Sequence, residues 1–277
     1  MIPAAVITLR ETLEASLVVG IILAYIARLH DRRYTLAVWL GVFVGICASF
    51  VIAVVMQLLI GDLTGTAEKI YEGSTMLLAS GLLTWMILWM LGKRKSIRGD
   101  IQRKVEAHVQ HEYIAGLFFL ALVTTMREAI ESVIFLKALI VHTHAGYQIF
   151  GGILGIVVAI VISYFLFRGI EVLPVKKFFT VTGVLLLFFG AGLFAHSIHE
   201  FQEGGFLPFL KTPLWNLNPP VLVEGSYPLM HDEGLIGSIL SSLFGYSGDP
   251  TALELSGYAF YVGTVALLWR MRSRRTA

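Results

Sequence analysis

Cysteine is nearly absent from this chain. Cys47 is the only one among 277 residues. A lone cysteine forms no internal disulfide and supports neither a cysteine-based metal motif nor a haem attachment. It lies in an apolar run and is expected to be a small buried hydrophobe. Charge is scarce as well: Asp, Glu, Lys and Arg make up 14% of the residues, where a soluble domain carries about 25%. With 56% hydrophobic residues, the composition is that of a polytopic membrane protein. The start, Met1-Ile2-Pro3-Ala4, has no positively charged stretch before its apolar run, so the first hydrophobic segment is expected to be a mature helix and not a cleaved signal. There is no Walker A pattern, which argues against ATP hydrolysis by this chain. There is no Gly-x-Ser-x-Gly and no His-Glu-x-x-His, so the familiar hydrolase and zinc-protease sites are missing. Nothing points to a nucleic-acid partner.

What is present is a series of long apolar runs. A spanning helix needs about 20 mainly apolar residues, and seven segments meet that test: 2–29, 34–60, 67–91, 113–141, 147–170, 178–203 and 252–271. The expected fold is therefore all-α, a single membrane domain over 1–277 in contact with the lipid bilayer. It divides into a three-helix unit (1–91), a basic loop (92–111), a second three-helix unit (112–204), a loop (205–251) and a final helix with a basic tail (252–277). Within the proline-rich loop, Leu235 to Phe244 predicts a short interfacial or re-entrant helix, too short to span. Cytoplasmic loops carry excess Lys and Arg. Sixteen of the 21 basic residues fall on one side, among them Arg28, Arg32, Arg33, Lys93, Arg94, Lys95, Arg98, Arg103 and Lys104; only Lys69 and Lys211 fall on the other. The N-terminus is thus expected outside and the C-terminus in the cytoplasm.

Five-residue islands of charge interrupt two of the runs. Arg10-Glu11-Thr12-Leu13-Glu14 lies in the first segment and Arg127-Glu128-Ala129-Ile130-Glu131 in the fourth. An ionisable residue at the centre of a bilayer helix costs roughly 2.5–3.5 kcal/mol on insertion scales and usually faces a protein interior or a water-filled path. The first segment runs inward and the fourth outward, so segments 1–3 and 4–6 have the form of an inverted repeat, a design that places transporter sites near the midplane. At about 1.5 Å per residue, Glu11 and Glu131 both lie some 14–15 Å below the outer surface. Residues three apart share a helix face, so Glu11 with Glu14, and Glu128 with Glu131, form two carboxylate pairs that converge if the units pack symmetrically. Carboxylates are strong ligands for hard cations. Arg10 and Arg127, charged even when buried, offset part of the repulsion and can reach Glu14 and Glu131 one turn on. The bland alternative is a pair of internal ion pairs locking two helices together; buried ion pairs are weak stabilisers, and two copies in a repeat argue against it. A proton relay through the same carboxylates is a further alternative.

Other polar residues fall along a path toward the outer side. Glu72 lies early in the third segment. The sixth ends in His196-Ser197-Ile198-His199-Glu200-Phe201-Gln202-Glu203, where His196, His199, Glu200 and Glu203 recur at helical neighbour spacing. With Glu72 they are expected to form an outer entrance able to gather metal, against the alternative of ordinary polarity at a helix end. Trp85, Trp89 and Trp269 fit an aromatic belt at the cytoplasmic ends. The runs around Gly151–Gly155 and Gly190–Gly192 suggest close helix packing.

These residues resemble a known family. The paired Arg-Glu-x-x-Glu motifs, Glu72-Gly73, Leu83-Thr84-Trp85-Met86, Phe201-x-Glu203 and Leu243-Phe244-Gly245-Tyr246 are similar to the oxidase-dependent iron transporters, the fungal high-affinity iron permeases and the Efe-type bacterial iron permeases. The resemblance covers essentially the whole chain. It implies inward iron transport with Glu11, Glu14, Glu128 and Glu131 as ligands, no permanently bound cofactor, and a bacterial inner membrane location. It also implies an extracytoplasmic oxidase, peroxidase or iron-binding protein as partner, and leaves a homo-oligomer open. The Asp-Ala-Ser-Glu element of fungal members is not present in the outer loop. Lead and manganese are alternative cargoes, and a non-transporting intramembrane enzyme or structural subunit is the alternative class.

Overall fold

The computed structural model describes residues 1–27, 31–60, 64–92, 114–140, 145–168, 175–218, 227–232 and 234–276. Arg28 and the basic stretch from Lys93 onward lie outside them, as do parts of the expected segment ends. Among the described residues there are eight helices and no strand: α1 (Ile2–Ile26), α2 (Arg32–Ile60), α3 (Thr66–Gly92), α4 (Ile114–Ile140), α5 (Ala145–Phe167), α6 (Val175–Glu203), α7 (Leu235–Phe244) and α8 (Ala252–Thr276). Each of the seven apolar segments corresponds to one long helix, and α7 is the short helix in the loop. Pro3 sits in the first turn of α1, where a missing N–H breaks no helical bond. Gly234 caps the start of α7, and Gly245 ends it in the left-handed conformation at φ 68°, the usual glycine stop.

Among the described residues, four helices are long and apolar enough to cross a membrane: Arg32–Leu58, Gly146–Phe167, Phe178–Glu203 and Ala252–Met271. The remaining long helices, α1, α3 and α4, are of similar length but hold the clustered charges. α2 and α5 lie at the periphery and present Trp39, Phe43, Phe50, Leu58, Phe150, Ile160 and Phe167 outward. Apolar surface on that scale marks a membrane or partner surface on any protein; here it wraps whole helices, as contact with lipid requires. Cys47 is exposed on α2, which corrects the expectation of burial. A helix apolar all round carries no periodicity to say which face turns inward.

The main core forms where α1, α3, α4, α6 and α8 meet, with Ile7, Met76, Leu83, Phe135, Leu186 and Val265 buried together. Helix pairing follows a pattern: α2 packs chiefly on α4, α5 on α1, and α3 on α6. Exchanging α1–α3 with α4–α6 maps this set of pairs onto itself. The correspondence extends to residues. A side chain on Gly41 or Gly45 of α2 would collide with the backbone of Phe118 or Leu122; one on Gly151 or Gly155 of α5 would collide with that of Met1 or Ala5. The sequence offset that carries Arg10 onto Arg127 also carries Met1 onto Phe118 and Ala5 onto Leu122. It carries Gly73 and Ser80 onto Gly190 and Ser197 as well. Ser80 Oγ donates to Gly190 O at 2.9 Å, and Gly73 faces Ser197. Small residues let these backbones approach closely, which is how membrane helices associate.

Gly155→Leu is therefore expected to lower stability in detergent by at least the ~1–3 kcal/mol typical of overpacking. Gly81→Ala, where nothing lies within 4 Å of an added Cβ, is expected to be neutral or stabilising by up to about 1 kcal/mol. Thermal unfolding checks both; equal melting of the two variants would contradict the close crossing.

Candidate metal site

The two charged islands meet between α1 and α4. Carboxylate oxygens of Glu11, Glu128 and Glu131 all lie within 4.8 Å of one another, and all three residues are buried. Three oxygens evenly spaced around one cation at about 2.2 Å stand about 3.8 Å apart, so a closure of about 1 Å lets the three share an ion. Arg10 donates from Nη1 to Glu11 Oε1 at 2.9 Å and pairs through Nη2 with Glu14 Oε1 at 2.7 Å. Arg127 donates from Nη2 to Glu128 Oε1 at 2.6 Å, with Nε 3.6 Å from Glu131 Oε1. Each arginine thus holds the adjacent glutamate as well as the one a turn away. Glu14 is engaged by Arg10 and is not among the three grouped carboxylates.

Two oxygens remain. Glu11 Oε2 and Glu128 Oε2, one from each motif, are buried with no hydrogen-bond partner. A buried acceptor left unsatisfied costs about 1–3 kcal/mol, and more when charged. A metal ion is the partner that such a pair suits, since it accepts from several carboxylates at once.

Comparison with known proteins agrees with this chemistry. Residues 1–274 match the iron permease FTR1 family. The chain belongs to that family. An uncharacterized protein of Archaeoglobus fulgidus is 36% identical over 248 residues, covering 88% of this chain and 85% of its own. The ferrous iron permease EfeU of Yersinia pestis is 30% identical over 273 residues, 98% of this chain and 94% of its own. The same-named protein of Escherichia coli O6:H1 is 28% identical over 275 residues, 98% and 96%. No solved structure matches.

A second ionic cluster in this family member joins α3, α6 and α8. Lys69 Nζ lies 3.0 Å from Glu200 Oε2, 2.8 Å from Glu203 Oε2 and 3.9 Å from Glu72 Oε2. His199 stands between two carboxylates, with Nε2 3.4 Å from Glu203 Oε1 and Nδ1 3.0 Å from Glu254 Oε1. Glu72, His199, Glu200 and Glu203 are therefore neighbours. His196 goes elsewhere: its Nδ1 meets Gly192 O at 2.8 Å, and its side chain lines a cavity of about 280 Å³ with Trp215, Phe244, Tyr246 and Tyr258.

The roles of four residues in these clusters, Lys69, Glu254, Met86 and Trp89, are not among the expectations from sequence. Lys69 counted only as an outer loop charge, although three carboxylates surround it. Glu254 carried a legible signal: Thr251-Ala252-Leu253-Glu254 is a capping box. Thr251 N donates to Glu254 Oε1 and Glu254 N to Thr251 Oγ1, both at 3.3 Å. That places the carboxylate at the start of α8, against His199. Met86 accepts from Arg10 Nη1. The ring of Trp89 lies 5.5 Å from Arg127 Cζ and stacks on Trp85, a contact that the aromatic-belt reading did not foresee.

Lys69→Met leaves the buried Glu200 carboxylate without its ammonium partner. It is expected to lower stability by about 1–3 kcal/mol, while Lys211→Met, at an exposed position, changes nothing. Denaturant unfolding in micelles measures the difference, and an unaffected Lys69 variant would mean that the cluster is held by other contacts.

Proposed function

We propose that this chain carries iron inward across the bacterial inner membrane, handing it between the carboxylates of two Arg-Glu-x-x-Glu motifs near the bilayer midplane. The observation that carries the reading is the approach of Glu11, Glu128 and Glu131 within 4.8 Å, with a partnerless oxygen on each motif. Glu14 completes the set as the ligand that Arg10 holds back. Charge supports a divalent cargo: four ionised glutamates and two arginines leave a formal charge of −2, which one dication brings to zero. Iron is the metal in the names of the family and of its permease relatives. It is cargo here and not a resident cofactor.

Seven spans with the N-terminus outside, and α1–α3 related to α4–α6 by inversion, complete the proposal. The Lys and Arg distribution supports the orientation, and the shared residue offset in the helix crossings supports the repeat. The Lys69 cluster is then the outer entrance, where Glu72, His199, Glu200 and Glu203 gather the cation. The membrane potential favours inward movement by about 2.3 kcal/mol per charge per 100 mV. One second reading has an observation behind it: an all-carboxylate donor set also suits manganese.

Uptake into reconstituted vesicles tests both. Ferrous iron is expected to enter with the wild-type chain and to fall by at least about 100-fold, some 3 kcal/mol of lost ligation, in Glu11→Gln and in Glu128→Gln. Ferric iron and manganese are supplied in parallel. Normal uptake by both variants would show the motifs to be ion pairs; uptake of manganese alone would reassign the cargo.

A further inference from the structure

The two motifs are alike in sequence and unlike in structure. The Arg10 side chain is 1% exposed and pairs with both glutamates of its motif, at 2.9 and 2.7 Å. Its Nη1 also donates to the thioether of Met86. The Arg127 side chain is 42% exposed. It pairs closely with Glu128, at 2.6 Å, but stands 3.6 Å from Glu131, and its guanidinium lies 5.5 Å from the centre of the Trp89 ring. Met86 and Trp89 are three residues apart, so one face of α3 touches both guanidinium groups.

We infer that the transported cation exchanges with Arg127 and not with Arg10, and that Trp89 is the positioning residue that receives the displaced guanidinium. The inference rests on the carboxylate site proposed above. Of the three grouped glutamates, Arg127 pairs with two, Glu128 and Glu131, and Arg10 with one, Glu11. A cation that takes more than the partnerless oxygen on each motif therefore draws chiefly on oxygens that Arg127 engages. Arg10 is 1% exposed, and would give up two carboxylates and a thioether if it moved, a loss that is costly away from water. The Arg127 side chain is 42% exposed, and the face of an indole, the best cation–π partner among side chains, already lies 5.5 Å from it. Arg10 is then a fixed charge that keeps the site from emptying into repulsion. Arg127 is a removable counter-ion that keeps binding reversible. The arrangement also assigns different duties to two residues that the motif writes identically.

The experiment is Mn²⁺ titration of the full chain in detergent, followed by the loss of the free-ion EPR signal, with melting temperature recorded for each variant. Mn²⁺ serves as a spectroscopic stand-in for a divalent cargo bound by oxygen ligands. Arg127→Gln is expected to fold and to bind Mn²⁺ about tenfold more tightly, because a competing charge is gone. Arg10→Gln is expected to lose binding and to melt earlier. Trp89→Ala is expected to weaken binding about two- to tenfold, the range of a partly buried cation–π contact, and Trp89→Phe to restore most of it. In an Arg127→Gln background the Trp89→Ala effect should vanish, which a merely structural role for the indole would not produce. If Arg127→Gln weakens binding as Arg10→Gln does, or the Trp89 effect persists without Arg127, the exchange is overturned. Should Arg127→Gln fail to fold, Arg127→Lys takes its place. The shorter ammonium must then bind Mn²⁺ more tightly than wild type and shrink the Trp89→Ala effect, and the opposite pattern overturns the exchange. A chain with Glu11→Gln and Glu128→Gln together provides the separation from the parent reading. If it binds Mn²⁺ like wild type, the carboxylate site and the exchange fall together; if it does not bind and only the arginine pattern fails, the exchange falls alone.

Discussion

Repulsion between buried carboxylates on two helices is the constraint around which this molecule is built. Glu11, Glu128 and Glu131 sit within 4.8 Å of one another away from water, and no apolar packing between α1 and α4 would bring them together unaided. Two arginines from the same helices supply the opposing charge. The rest of the scaffold supplies force from outside: α2 closes on α4 and α5 on α1 through glycines that admit no side chain. Helices in lipid gain little from the hydrophobic effect on association, so dispersion at such close crossings has to do that work. The price of holding the acids together is therefore met by backbones in contact several turns away.

How much of this is legible in the sequence depends on the kind of contact. Apolar runs free of interior proline become helices, and charges within them become a buried cluster, because both statements follow from solvation alone. The short α7 is legible from the glycines at its two ends. Facing is not: Cys47 turns outward on a helix whose every side is apolar, so periodicity carries no information there. Nor is reach. Lys69 is a loop charge when basic residues are counted by side, yet its long stem carries the ammonium to three carboxylates on two helices. His196 and His199 are neighbours by spacing, but one bonds a backbone carbonyl beside a cavity and the other two carboxylates. That division was decided by α8, which arrives from the far end of the chain.

The matching helix pairs of α1–α3 and α4–α6 show what the two halves share and set off what they do not. Close contacts recur in the two halves: Gly45 on Leu122 answers Gly155 on Ala5, and Ser80 at Gly190 answers Ser197 at Gly73, with one offset relating the residues of α1 and α3 to those of α4 and α6. Such contacts tolerate no variation, since a single methyl group in either crossing displaces a helix. Side-chain chemistry is free of that restriction, and there the two halves part. The same offset pairs Leu83 with Glu200, Met86 with Glu203 and Trp89 with Phe206.

That mismatch makes the two ends of the central site unlike. In a perfectly symmetric frame both ends of the central site would attract a cation equally, and neither would favour arrival or departure. Here the α6 end carries Glu200 and Glu203 beside Lys69, the array that the proposed function makes the gathering point for a metal. The corresponding α3 end carries Met86 and Trp89, which offer a cation no carboxylate and instead hold the motif arginines by a thioether and a ring. In the proposed transport, a metal gains ligands as it approaches from one end and meets competing guanidinium groups as it leaves by the other. Polarity in that proposed transport is thus a property of three mismatched pairs on helices that otherwise pack alike.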